Sequence, residues 1–467
     1  MIADSNKMKP GVLFGRRAES VLLRTTPAKS SGALEKPAAH PLAFAGLFVF
    51  TLLLYVRPNE LFPEVFGNFS IMKIVAILTS IVYIGGKLGH GERLTVWPLE
   101  MSMLAAIILL GVIFTPIAAA PDASIELLTD TFFKVSVVFV LMLNLVDTRE
   151  RLLRIMKLVV LCGTGIAAGS IGKFVEGKFT ATIQGVGVRI EGTVGGIFGN
   201  PNDLAMALDL LLPLTIVLAL TSKPAGRLIY SACAFVLAMG VVVTFSRGGF
   251  LGLAAGGGIL LWKLGRHNKL SMAMAAFAAC AVLALSMPAG YSDRLFTIIH
   301  TEKDTTNSAQ ERQGEMKQAL EIASRHLVIG IGMGNYPFYS NHAIRAHNSY
   351  IELAAELGLA GLLAYLILIF GPLRSMKLIE RETSRANDPA RRELRFLAAG
   401  VHASIVGYLV CAVFSSAQYQ WYLFYPVAYA VSLRRLYAAS EIDHKKEIDR
   451  KEKTAAAQGL FWKRQGV

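Results

Sequence analysis

Charged side chains are scarce in this chain: 17% of its 467 residues are Asp, Glu, Lys or Arg, against about 25% in soluble globular proteins. Cysteine is scarcer still. All four, Cys162, Cys233, Cys280 and Cys411, fall inside apolar blocks, which leaves no loop cysteine for a disulfide and no paired spacing for a metal; they read as small packing residues. Neither H-x3-H nor HExxH occurs, and His342 and His347 are five apart, so one helix does not put both on one face and the histidines offer no zinc motif. The first forty residues lack a long apolar region followed by a small-residue cleavage site, so no cleavable signal peptide is expected and the first apolar span stays in the protein. No internal repeat of the transporter kind is visible. A secreted disulfide scaffold is thereby excluded.

What the chain has instead is apolar residue, 54% of the total, gathered into long blocks rather than short patterned runs. Stretches such as 41–56, 71–88 and 101–120 are nearly uncharged and approach the roughly 20 residues that cross a bilayer as helix. A disordered regulator and a cytosolic enzyme are excluded, and the fold class expected is an all-α polytopic membrane protein. Twelve blocks are discernible, near 41–57, 70–88, 98–120, 130–146, 153–172, 203–221, 227–245, 248–264, 270–288, 350–372, 395–415 and 418–436. The predicted organisation is a cytoplasmic tail over 1–40, nine spans over 41–288 with an outer loop at 173–202, a large periplasmic loop at 289–349 containing short helices, three spans over 350–436, and a basic cytoplasmic tail from 437.

Net charge is +14, a balance that in a soluble protein suggests nucleic acid. Its placement points to membrane topology. Seven Lys or Arg against three acids precede Pro41, and nine against five lie from Arg434 onward, so both tails are expected in the cytoplasm. Inner connections carry Lys87 and Arg93; Arg149, Arg151 and Arg154; Lys223 and Arg227; and Lys263, Arg266 and Lys269, whereas the outer segment 121–130 has only the acids Asp122, Glu126 and Asp130. Inside the apolar blocks Lys134 and Asp209 are the main ionisable exceptions.

Three polar clusters then fall on the outer side. Arg189-Ile-Glu191-Gly192 is followed by Phe198-Gly199-Asn200-Pro201-Asn202-Asp203, where turn and N-cap chemistry accounts for everything except Arg189. Thr244-Phe245-Ser246-Arg247-Gly248-Gly249 sits between two blocks with almost no loop. An arginine is costly in hydrocarbon, so Arg247 is expected at a helix end or facing a wet interior, either snorkelling to headgroups or, with the amides of Gly248 and Gly249 beside it, binding phosphate. The third, Arg345-Ala-His347-Asn348-Ser349-Tyr350, leads into the tenth span with Glu352, Glu356, Gly358 and Gly361. A histidine at a helix entrance suits general-base work near neutral pH, and the two glycines read as close-packing positions between spans. In the large loop, Ser308-Ala-Gln-Glu311 has capping-box spacing, and Met316, Leu320 and Ala323 continue at helical spacing to about Arg325.

The combination resembles the O-antigen ligase superfamily of bacterial inner-membrane enzymes. His347-Asn348, nine residues, then Gly358-Leu-Ala-Gly361 fits that family's C-terminal signature; FGNPNDLA and TFSRGGFLGL resemble the segments preceding its long loop, and Ser308, Arg312 and Gly330-Ile-Gly332-Met-Gly334-Asn-Tyr resemble the loop itself. The resemblance implies metal-independent glycosyl transfer with no cofactor. The implied donor is an undecaprenyl-diphosphate-linked glycan in the inner membrane among its lipids, and the implied acceptor is a lipid A core or other hydroxyl at the periplasmic face. It also implies His347 as base, Arg247, Arg189 and Arg312 as diphosphate-binding residues, and Asn348, Tyr350 and Glu352 as supports. A polysaccharide polymerase or a protein O-oligosaccharyltransferase shares the same pattern. A small-anion transporter is the alternative of another class.

Overall fold

The computed structural model describes residues 39–66, 71–179, 190–193, 196–265, 270, 273–274, 276–277, 281, 308–341, 343–384, 388–442 and 446. The described residues contain helices and no strand. In chain order the long elements are α1 (Pro41–Val56), α2 (Ile71–Gly89), α3 (Leu99–Phe114), α4 (Pro121–Glu126), α5 (Phe133–Leu145), α6 (Arg149–Val175), α7 (Pro201–Thr221), α8 (Pro224–Val243), α9 (Arg247–Gly265), α10 (Ser308–Arg325), α11 (Ser349–Glu382) and α12 (Pro389–Cys411). A last helix, α13, covers 424–442.

Local chemistry sets where these helices begin. Proline at the first helical position, where its missing N–H costs nothing, opens α1, α7, α8 and α12. Side-chain caps from Thr148, Asn200, Asn348 and Asp388 accept the first free amides of α6, α7, α11 and α12. Among the described residues, nine helices are long and apolar enough to cross a membrane, and α7 is the most enclosed of them. It packs against α6, α8, α9 and α12, which is why its apolar residues run all round rather than in one stripe. Behind it, α9 and α12 approach closely through small residues: a Cβ on Gly252 would lie 2.1 Å from Cys411 Sγ, and one on Gly256 would lie 3.1 Å from the Ala403 carbonyl.

Three of the twelve expected spans differ from a plain apolar helix. The fourth is α4 and α5 joined without interruption through a π-helical turn, Leu127–Phe132. The ninth, near 270–288, falls almost wholly outside the described residues. The twelfth starts at residue 424 rather than 418, because residues 412–423 form turns and the 3-10 turn Trp421–Leu423, and it continues past 436 to 442. Helix α10 does cover the segment read as amphipathic in the large loop.

The spanning helices define two ends of the bundle. Towards one end lie buried charges in close partnership. Arg434 on α13 forks onto Glu100 of α3 at 2.9 and 2.8 Å and reaches Ser375 Oγ of α11 at 3.2 Å. Lys263 of α9 binds Glu380 of α11 at 2.7 Å and lies 3.0 Å from His402 Nδ1 of α12. The other end is built from capped helix starts and backbone contacts, and there the residues singled out in the sequence gather.

Candidate functional site

Three helix N-termini, those of α7, α9 and α11, dock on one segment, residues 412–419, between α12 and α13. From α7, Asp203 Oδ1 accepts from Ser415 Oγ at 2.8 Å. The start of α9 is seated by Ser246, whose hydroxyl donates to Asn202 Oδ1 at 2.8 Å and accepts from the Gly249 amide at 3.1 Å. Gly248 lies against Phe414, where a Cβ would come within 2.9 Å of the Phe414 Cβ. From α11, the Ser349 amide donates to the Ala412 carbonyl at 2.9 Å, its hydroxyl donates to the Ser415 carbonyl at 2.6 Å, and it accepts from the Ala417 amide at 2.8 Å. Each helix start carries partial positive charge, offset at α7 and α11 by the first-turn carboxylates Asp203 and Glu352, while the first turn of α9 holds no acid.

Arg247 is the first residue of α9 and half-buried, and His347 stands two residues before Ser349, also half-buried. Their immediate neighbours touch the same short segment, so the two are brought to one end of the bundle although a hundred residues separate them. His347 adopts φ 50° and Ala343 φ 54°, left-handed conformations that cost a non-glycine residue about 1–2 kcal/mol and persist only where the surroundings impose them. The surroundings are identifiable. Asn348 Oδ1 accepts from the Tyr350 and Ile351 amides at 3.0 and 3.1 Å, and on the other side Glu352 Oε2 accepts from the Ala346 amide at 3.1 Å.

Glu352 is the hub of a second layer. Buried to 1% exposure, it also accepts from Ser416 Oγ and, at 2.9 Å, from Gln418 Nε2. Arg345 approaches it at 4.0 Å while donating to the Ser416 carbonyl at 3.3 Å. One turn deeper, Glu356 accepts from Tyr419 OH at 2.7 Å and from the Tyr336 amide at 3.2 Å. Burial, with Glu356 beside it, pushes the Tyr419 hydroxyl well above its ordinary range, so it stays a donor. Tyr350 is a packing residue: its hydroxyl donates to the Leu409 carbonyl at 2.8 Å.

Two expectations need correction. Gly248 and Gly249 do not present open amides to an anion; both are buried, the Gly249 N–H is taken by Ser246, and their missing side chains make room for Phe414 and Ala205. Gly358 is more than a packing position. It holds φ 66° and ψ −173° and breaks α11, and the freed carbonyls of Ala355 and Glu356 accept from the Ile331 and Gly332 amides at 3.0 Å each, while the Leu359 amide donates to Leu327 at 2.7 Å. The glycine-rich 330–335 segment is thus threaded onto the break, and Asn335 pins it by accepting from the Ala120 amide at 2.7 Å and donating to Ser124 Oγ at 2.8 Å.

Arg189 lies outside the described residues, next to the buried Ile190, and Arg312 falls on a turn of α10 whose side chains lie outside them. Sequence reasoning missed Arg345 as a partner of Glu352, and it missed the whole 412–419 segment. The signal available was Ser415-Ser416 and Gln418 interrupting an apolar run. Among the described residues no group of His, Cys, Asp or Glu has the arrangement of a metal site.

Residues 232–366 match the family model described as O-antigen ligase. That stretch takes in Arg247, the glycine-rich segment and His347 through Gly361, and it supports the likeness to the O-antigen ligase superfamily. The N-terminus of α7 and the 412–419 segment, which complete the site, lie beyond it. No curated protein matches the chain.

Proposed function

We propose that this multi-pass membrane protein is a glycosyltransferase of the O-antigen ligase type. In this reading it moves a glycan from undecaprenyl diphosphate to an acceptor hydroxyl at the periplasmic face of the bacterial inner membrane, with a lipid A core sugar as the favoured acceptor. The observation that supports the reading is the convergence of α7, α9 and α11 on residues 412–419, since Arg247 opens α9 and His347 stands two residues before α11.

The chemistry matches those groups. The acceptor hydroxyl loses its proton to His347, and its oxygen forms a bond to the anomeric carbon. The bond from that carbon to the diphosphate oxygen breaks, and its electron pair leaves with undecaprenyl diphosphate. Single displacement inverts the anomeric centre. A base within hydrogen-bond reach contributes about 10²- to 10⁴-fold. Arg247, joined by Arg189 and Arg312, grips the leaving diphosphate bidentately as its charge develops. Glu352 and Asn348 hold the residues on either side of His347, so the imidazole is presented by a fixed backbone rather than a mobile loop.

The test is transfer from a defined diphospholipid donor to candidate acceptors by the purified full chain. His347→Ala is expected to abolish transfer while donor binding persists, and Arg247→Lys to lose most activity, since a point charge cannot reproduce the planar fork. Near-normal transfer by the His347 variant ends the general-base role. Comparing core oligosaccharide, a second lipid-linked repeat and a Ser/Thr peptide as acceptors separates ligase from polymerase and protein glycosylation.

A further inference from the structure

The charged group left over from the proposed reaction lies on the membrane-facing side of the π-helical turn. Asp130, inside the turn, accepts from Lys134 one turn further along, and Lys73 near the start of α2 approaches the same oxygen at 3.8 Å. All three side chains are exposed, at 57% for Lys73, 59% for Asp130 and 36% for Lys134. Their neighbours are apolar and exposed too: Phe133 at 63% and Ile77 at 59%, the composition of a face turned to hydrocarbon.

Depth makes this unusual. Asn144 Oδ1 accepts from the Val96 amide at 3.0 Å, just before α3 begins at Leu99, and so marks the level of the bundle's other end. Lys134 is ten residues above it, about 15 Å at 1.5 Å per residue, and Lys73, the third residue of α2, stands near that helix's site-side end. Asp130 lies about 6 Å nearer the site end. Lysine on a lipid-facing surface at that depth is costly and by default marks function. One carboxylate shared by two ammonium groups still leaves one positive charge. The π-turn, a feature frequent at functional positions, produces the arrangement: it turns Phe132 inward against Tyr419, with ring centroids 5.6 Å apart, and leaves Asp130 outward.

We propose that Lys73 and Lys134, bridged by Asp130, hold the phosphate of an anionic glycerophospholipid drawn into the leaflet on the site side of the bundle. The lysines reach along their stems towards the site end, the phosphate supplies the missing negative charge, and its acyl chains lie on the apolar face beside Phe133 and Ile77. This inference does not depend on the transfer reaction.

The full chain in nanodiscs containing phosphatidylglycerol or only phosphatidylcholine, examined by thermal unfolding and by native mass spectrometry of retained lipid, tests it. The parent is expected to retain phosphatidylglycerol and to melt higher in its presence. Lys73→Met with Lys134→Met is expected to bind it roughly thirtyfold more weakly, at about tenfold or less for each lysine, while Lys73→Arg with Lys134→Arg keeps it. Because two substitutions that strand Asp130 risk misfolding, the triple variant Lys73→Met, Asp130→Leu, Lys134→Met serves as the folded control: it should melt normally in phosphatidylcholine and gain nothing from phosphatidylglycerol. Unchanged lipid retention by the triple variant overturns the proposal. So does an equal gain from inorganic phosphate, or a change of oligomeric state in place of lipid loss.

Discussion

Replacing Gly358 with alanine tests whether the break in α11 is a built joint or an accident of sequence. At φ 66° and ψ −173° the residue occupies a region open essentially to glycine, at about 1–3 kcal/mol for any other. The added Cβ has nowhere to go: it would stand 2.9 Å from the Leu327 carbonyl oxygen and 3.1 Å from that of Val328, both backbone atoms. The helix escapes by straightening, and then the three hydrogen bonds made by Ile331, Gly332 and Leu359 across the break are lost, at about 1 kcal/mol each. The variant pays one or the other, strain with the added clash if the break is kept or about 3 kcal/mol of lost hydrogen bonds if it straightens, a fall in melting temperature of about 5 °C. Hydrogen exchange should localise the damage, with residues 327–335 losing protection while α7 keeps it. Gly257→Ala is the matched control, since a Cβ there meets nothing within 4 Å and a mid-helix glycine replaced by alanine gains up to about 1 kcal/mol. If Gly358→Ala melts like the parent with 327–335 still protected, the joint is not what holds the glycine-rich segment.

Glu352→Ala removes the common acceptor of the Ala346 amide, Ser416 and Gln418 and is expected to cost about 3–5 kcal/mol, with transfer activity falling further than stability because the strained backbone at His347 relaxes. Glu352→Gln should cost about 1 kcal/mol, since Gln418 Oε1 is buried without a partner and its amide can flip to accept; equal losses in the two variants, read by thermal melts, would contradict the hub. Arg434→Met strands Glu100 and should cost about 3–5 kcal/mol, whereas adding Glu100→Met should recover most of it. A double variant no more stable than the single one would show that the pair is not what couples α13 to α3.

The helices were legible because hydrocarbon length and charge placement are properties of composition alone: α1, α2, α7 and α8 begin within three residues of where their apolar blocks and prolines put them. The second half of the chain was harder to read for a physical reason. Residues 412–423 keep Tyr419, Trp421 and Tyr422 buried beside Ser415, Ser416, Gln418 and Gln420, and they run as turns in which Ser349 of α11 pairs with their backbone while Ser415 and Ser416 donate to Asp203 and Glu352. Glu356 and Gly358 posed the same difficulty. Both sit in an apolar helical pattern, and only partners upstream, 20 residues away for Tyr336, reveal that Glu356 accepts from the Tyr336 amide and that Gly358 is a break.

That dependence on distant partners explains how the two ends of the bundle are built. Arg434 and Glu100, or Lys263 and Glu380, fix helices by pairing charge with charge, which tolerates no ligand: any group that entered would have to displace a partner already in place. The site end is fixed instead by caps and backbone amides, whose hydrogen bonds are neutral or involve a single carboxylate. Such an end holds its shape with first-turn carboxylates on α7 and α11, Asp203 and Glu352, while the first turn of α9 carries no acid. The donors and acceptors at that end are thus fixed by short-range hydrogen bonds to one segment, an arrangement that holds its geometry without having to reorganise.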